Sequence, residues 1–81
     1  MLVRLPEAKL GTLSRREREV LRLLAQGKTD RQIAKALLIS VRTARFHVSS
    51  ILRKCGASNR AHAAAYGALL DLLEVEFAAS R

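Results

Sequence analysis

The sequence predicts an all-α domain, a four-helix bundle that contains a helix-turn-helix. Three observations carry this expectation. The chain is 81 residues long, which is one small domain. It holds only four Gly and one Pro, too little punctuation for a fold of many short strands. Finally, helix start and stop signals recur at short intervals around apolar residues spaced three and four apart.

Each element can be justified in turn. Residues 1–12, broken by Pro6 and Gly11, read as an irregular lead-in to a domain spanning 13–78. Ser14-Arg15-Arg16-Glu17 is a capping box: the Ser hydroxyl accepts from the Glu backbone N–H, and the Glu carboxylate reaches back. The helix it opens, about 15–26, carries Val20, Leu21 and Leu24 on one face and stops at Gly27, a left-handed C′ position. Thr29-Asp30-Arg31-Gln32 repeats the device with Gln. It starts a short helix, 30–37, that buries Ile33, Ala34 and Leu37, with Asp30 expected to serve as a cap. Leu38-Ile39-Ser40 is a three-residue connection without the usual Gly, and Ser40 caps the next helix, 41–54, which ends at Gly56. Ser58 is expected to cap the fourth helix, about 59–77.

Composition excludes several classes. The longest near-continuous apolar stretch, Ala63 to Leu73, is too short to span a bilayer and contains Asp71. The first residues lack a charged segment followed by an apolar one, so no secretory signal is read, and a single Cys55 fits a reducing cytoplasm. Two His and one Cys without close pairing do not make a metal site. No Ser–His–Asp set, carboxylate pair or phosphate-cradling Gly loop points to an enzyme, and no cofactor or small-molecule ligand is implied. The net charge of +8 is unevenly spread: residues 28–60 hold eight basic groups against Asp30 alone, whereas residues 61–81 are net negative. A basic middle and an apolar tail imply two surfaces, one for a polyanion and one for protein.

On a helical wheel the third helix has three faces. Val41, Ala44, Val48, Ile51, Leu52 and Cys55 form an apolar arc that must face the core. Opposite them, Arg42, Arg45, Phe46, Ser49 and Arg53 fall within roughly 100° of one another. Thr43, His47, Ser50 and Lys54 lie on the strip between. A solvated face normally interleaves Glu with Arg, yet no acid occurs from 31 to 70, and Phe46 is expected in solvent. Against DNA both features make sense. Arg donates two bonds to guanine O6 and N7 in the major groove, an aromatic ring packs on a thymine methyl, and flanking hydroxyls and Lys suit phosphates.

The fourth helix carries two apolar stripes. Ala63, Tyr66, Leu70, Leu73 and Phe77 make one, joined by Gly67, where small residues let helices approach; Ala61, Ala65, Ala68, Leu69, Leu72 and Val75 make the other. One face suffices for the core, so a surplus apolar face implies a protein contact. Ala63, Tyr66, Gly67, Leu70, Leu73 and Phe77 are the residues expected in a two-fold homodimer.

Leu13 to Ala63 resembles the LuxR-type helix-turn-helix of bacterial transcription regulators. The resemblance rests on Leu13-Ser14 with Arg16-Glu17-Arg18-Glu19-Val20-Leu21, Gly27, Ile33-Ala34, Ile39-Ser40, Thr43-Ala44-Arg45, His47, Lys54, Gly56 and Arg60. It implies a wingless four-helix domain with residues 41–54 as the recognition helix in the major groove. Base contacts would then fall at Arg45, Phe46 and Ser49. Phosphate contacts would fall at Thr43, His47, Lys54 and Arg60, together with Thr29, Arg42 and Arg53. The implied partners are double-stranded DNA bearing an inverted repeat, a second copy bound through the fourth helix, and RNA polymerase. Two rival readings are a promoter-binding module like that of a sigma factor, and a helical module whose basic face meets an acidic protein.

Overall fold

The computed structural model describes residues 13–79, with side chains described as far as Asp71. The expected lead-in therefore lies outside the described residues. The described chain is all-helical: α1 (Arg15–Ala25), α2 (Asp30–Leu37), α3 (Val41–Cys55) and α4 (Arg60–Ala79).

Local chemistry sets the boundaries from the start of α1 to the start of α4. Both capping boxes form as the spacing predicts: Ser14 Oγ accepts from Glu17 N–H at 3.0 Å while Glu17 accepts from Ser14 N–H at 2.8 Å. Thr29 and Gln32 do the same at 3.2 and 2.9 Å. Thr29 is thus the N-cap of α2, and Asp30, read from the sequence as a cap, is its first helical residue. At α4 the cap also moves by one residue. Asn59 Oδ1 accepts from His62 N–H at 2.9 Å, and Ser58, the expected cap, instead donates its backbone N–H to His62 Nδ1 at 3.0 Å.

The first three helices end in the same way, with a left-handed residue whose successor bonds back across the last turn. Gly27 (φ 79°) and Gly56 (φ 64°) take this role for α1 and α3, with Lys28 N–H reaching Leu23 O at 3.1 Å and Ala57 N–H reaching Leu52 O at 2.9 Å. In the helix-turn-helix the role falls to Leu38 (φ 56°), and Ile39 N–H closes onto Ala34 O at 3.0 Å. The absent turn glycine is thus replaced by a leucine held in a conformation that its Cβ disfavours.

The core collects Leu13, Val20, Leu21, Leu24, Ile33, Ala34, Ala44, Val48, Ile51, Cys55, Ala63 and Tyr66. The apolar arc of α3 faces it as expected, with Val41 and Leu52 at its half-buried rim. α4 packs along α1, and Gly67 makes this possible: a Cβ there would sit 2.7 Å from the Leu21 carbonyl oxygen and 3.0 Å from Ala25 Cβ. Arg22 and Asp71 pair across the same seam at 3.0 Å. This corrects the expected use of α4. Ala63, Tyr66 and Gly67 are buried within this chain and Leu70 packs against its core, so this stripe is the inward one. The side chains of Leu73 and Phe77 lie outside the described residues. The outward stripe holds Ala61, Ala65 and Ala68, all exposed, with half-buried Leu69.

Candidate nucleic-acid interface

α3 lies across the domain with its core arc inward, so the residues opposite must meet solvent. Arg42, Thr43, Arg45, Phe46, Ser49 and Arg53 are all exposed. Phe46 keeps 68% of its surface in solvent, and apart from Leu38 it is the large apolar side chain left outside among the described residues. Its ring meets the edge of half-buried His47, centroids 6.1 Å apart and planes at 67°. A ring presented this way offers a flat apolar surface to a partner but is stabilised little by its own fold. Among the described residues, Arg42 and Arg53 make no ion pair.

Hydroxyls mark the neighbouring helix starts. Thr29 lies at the start of α2, and its Oγ1 accepts from Gln32 N–H. Ser40 Oγ accepts from Thr43 N–H at 3.0 Å and donates to Thr43 Oγ1 at 2.8 Å, leaving the Thr43 hydroxyl proton to point elsewhere. Helix N-termini carry partial positive charge, so hydroxyls there suit phosphate oxygens.

The flank between core and solvent is not uniform. Thr43 and His47 border the open face, whereas Ser50 and Lys54 turn to α1. Ser50, expected on the phosphate-facing strip, is buried and donates to Glu17 Oε2 at 2.7 Å; Lys54 Nζ donates to Glu17 Oε1 at 2.8 Å. Lys54 therefore couples α3 to α1 and presents only 38% of its side chain to solvent. Burial pushes the Glu17 carboxyl up. The bond from Lys54, the Ser14 backbone N–H, and the Ser50 and Ser14 side chains outweigh burial and hold it down at about 2, against an ordinary 4.5.

A second carboxylate, Asp30, lies among the basic side chains. Asp30 Oδ1 accepts from Arg60 Nη1 at 2.6 Å, and Oδ2 stands 3.4 Å from Arg45 Nε. Arg60 Nη2 donates to the Lys28 carbonyl at 2.8 Å, so Arg60 also staples the start of α4 to the α1–α2 turn. The contact does not withdraw Arg45, whose side chain stays 71% exposed. Neither Asp30 nor Glu17 could be matched to these partners from spacing, because the partners lie 15 to 37 residues away and neither pairing follows a helical repeat.

Among the described residues no group of three His, Cys, Asp or Glu could hold a metal ion, and no helix is long and apolar enough to cross a membrane.

Comparison with known proteins shows the family. Residues 11–66 match the family described as bacterial regulatory proteins, luxR family. The transcriptional regulatory protein LiaR of Bacillus subtilis (strain 168) is 42% identical over 55 residues, covering 68% of this chain and 26% of that protein. The HTH-type quorum-sensing regulator RhlR of Pseudomonas aeruginosa is 48% identical over 61 residues, 75% of this chain and 25% of that protein. The spore germination protein GerE of Bacillus subtilis (strain 168) is 47% identical over 51 residues, 63% of this chain and 69% of that protein. The chain thus spans about a quarter of the length of LiaR and RhlR, and GerE is nearer its own size.

Proposed function

Because the chain belongs to the luxR family of bacterial regulatory proteins, we propose that it regulates transcription by binding double-stranded DNA with α3 in the major groove. One observation carries the reading: an exposed phenylalanine flanked by Arg42, Arg45 and Ser49 on a helix face without a carboxylate of its own. Arg45, Phe46 and Ser49 read base edges, Arg45 through guanine O6 and N7 and Phe46 through a thymine methyl. Thr29, Arg42, Thr43, His47, Arg53 and Arg60 meet phosphates, and the exposed part of Lys54 adds to the same field.

Two copies bind an inverted repeat. The outward stripe of α4, Ala61, Ala65, Ala68 and Leu69, supports this pairing, since among the described residues it is an apolar face left exposed or half-exposed. Beside it half-buried His62 stacks on the core residue Tyr66, centroids 4.9 Å apart, and with Ala65 and Leu69 they line a cleft of about 110 Å³. Two-fold pairing sets recognition helices one DNA turn apart, roughly 34–36 Å, so half-sites recur at about 10 bp.

Selection of bound duplexes from a random pool tests the reading, and an enriched palindrome is the expected outcome. With about four phosphates neutralised per subunit, log K falls against log salt with slope near −7 for the dimer. Arg45→Ala costs about 1–3 kcal/mol on the selected site and relaxes preference at one step. A slope near zero, or equal binding to all duplexes, rules out the groove reading in favour of an acidic protein partner.

A further inference from the structure

Asp30 is the one acidic residue between Gln26 and Leu70, and it stands where two arginines converge. Its carboxylate is a fixed post. Oδ1 is held by Arg60, whose other Nη is tied to the Lys28 carbonyl, and the residue sits on the first turn of α2 beside the Thr29 cap. Its other oxygen, Oδ2, faces Arg45 Nε at 3.4 Å. An arginine contacted at Nε keeps both Nη atoms for a second acceptor, and those are the atoms that pair with guanine. The contact therefore restrains a long side chain with many rotamers without occupying its reading end.

We propose that Asp30 is a specificity-determining positioning residue, whose carboxylate aims Arg45 at its base and repels any duplex in which Arg45 finds no guanine to repay the approach. The inference rests on the base-reading role of Arg45 given above. Its second half follows from charge. A phosphate drawn to Thr29 or Arg60 also meets the Asp30 carboxylate, so every duplex is bound less tightly than the basic residues alone dictate. On the selected duplex the preset Arg45 compensates; on a scrambled duplex nothing does.

The test compares wild type, Asp30→Asn, Arg45→Ala and the double variant of the 81-residue chain, each with the selected duplex and a scrambled duplex of equal length. Asp30→Asn keeps the shape and removes the charge. It is expected to tighten binding to the scrambled duplex about threefold and to lower the ratio of selected to scrambled affinity by at least as much. In the Arg45→Ala background the same change leaves that ratio unaltered. An unchanged ratio for Asp30→Asn, with Arg45→Ala still lowering it, overturns the role of Asp30 and spares that of Arg45. If Arg45→Ala itself leaves the ratio unchanged, both roles fall. A ratio that drops equally in the two backgrounds shows Asp30 acting without Arg45, which also overturns the proposal. Nitrogen relaxation at the arginine Nε sites of the free protein gives a readout that needs no DNA. Arg45 is expected to be more ordered than Arg42 and to lose that order in Asp30→Asn; equal mobility in the wild type refutes the positioning.

Discussion

Replacing Glu17 by Gln removes one charge and leaves a capping box intact, because Gln32 fills the equivalent place in α2. The substitution therefore isolates the charged contact that ties α3 to α1 through Lys54 and Ser50. Lowering the Glu17 carboxyl from 4.5 to about 2 means that its ionised form favours the fold by about 3 kcal/mol at pH 7. The sign follows from the direction: a carboxyl depressed on folding stabilises above its unfolded value and loses that stabilisation as pH falls from 4.5 towards 2. Glu17→Gln is accordingly expected to unfold about 3 kcal/mol more easily at pH 7, by roughly half that difference at pH 3, and almost as readily as wild type at pH 2. The chain has no Trp and a single Tyr, so urea titration followed by far-UV circular dichroism is the suitable assay. A variant within about 0.5 kcal/mol of wild type at pH 7 refutes the reasoning. A gap of constant size from pH 7 to pH 2 does so too, since it would come from shape and not from charge.

Other perturbations follow from single positions. Leu38→Gly should stabilise the domain by about 0.5–1 kcal/mol, visible as a rise of a few degrees in Tm, because the leucine is 92% exposed at φ 56° and its packing loss is small. Gly67→Ala should destabilise by about 1–2 kcal/mol despite a helix-propensity gain of about 1, since the new Cβ meets a backbone carbonyl; an unchanged urea midpoint would contradict the tight α1–α4 seam. Ala65→Glu, on an exposed site, should leave monomer stability within about 0.5 kcal/mol while setting two like charges against each other across the proposed two-fold axis. Sedimentation should then show at least about a tenfold weaker dimer, and a dimer as tight as wild type would move the contact to another surface.

The helices were legible because each carries its own punctuation. Ser14, Thr29 and Ser40 cap, Gly27 and Gly56 stop, and the three-sided wheel of α3 separates core from solvent without reference to any other element. The features that sequence reasoning misplaced depend on partners distant in the chain. Ser50 and Lys54 share a strip with Thr43 and His47 on the wheel, but only the position of α1 decides that half of that strip turns inward to Glu17. The two stripes of α4 are both apolar, and choosing the inward one requires knowing that Gly67 meets the Leu21 carbonyl. Leu38 was hidden for a different reason: a left-handed residue announces itself when it is Gly, and here a side chain masks it.

The way α3 divides its labour has an evolutionary consequence. Ala44, Val48, Ile51 and Cys55 fill the interior and Ser50 and Lys54 fasten the helix, whereas Phe46 and Ser49 are exposed, the Phe46 ring meeting the edge of His47. If those two outward positions read bases as proposed, mutations there can be sampled at little cost to folding, and descendants of this scaffold would acquire new operator preferences one residue at a time while the bundle beneath stays the same.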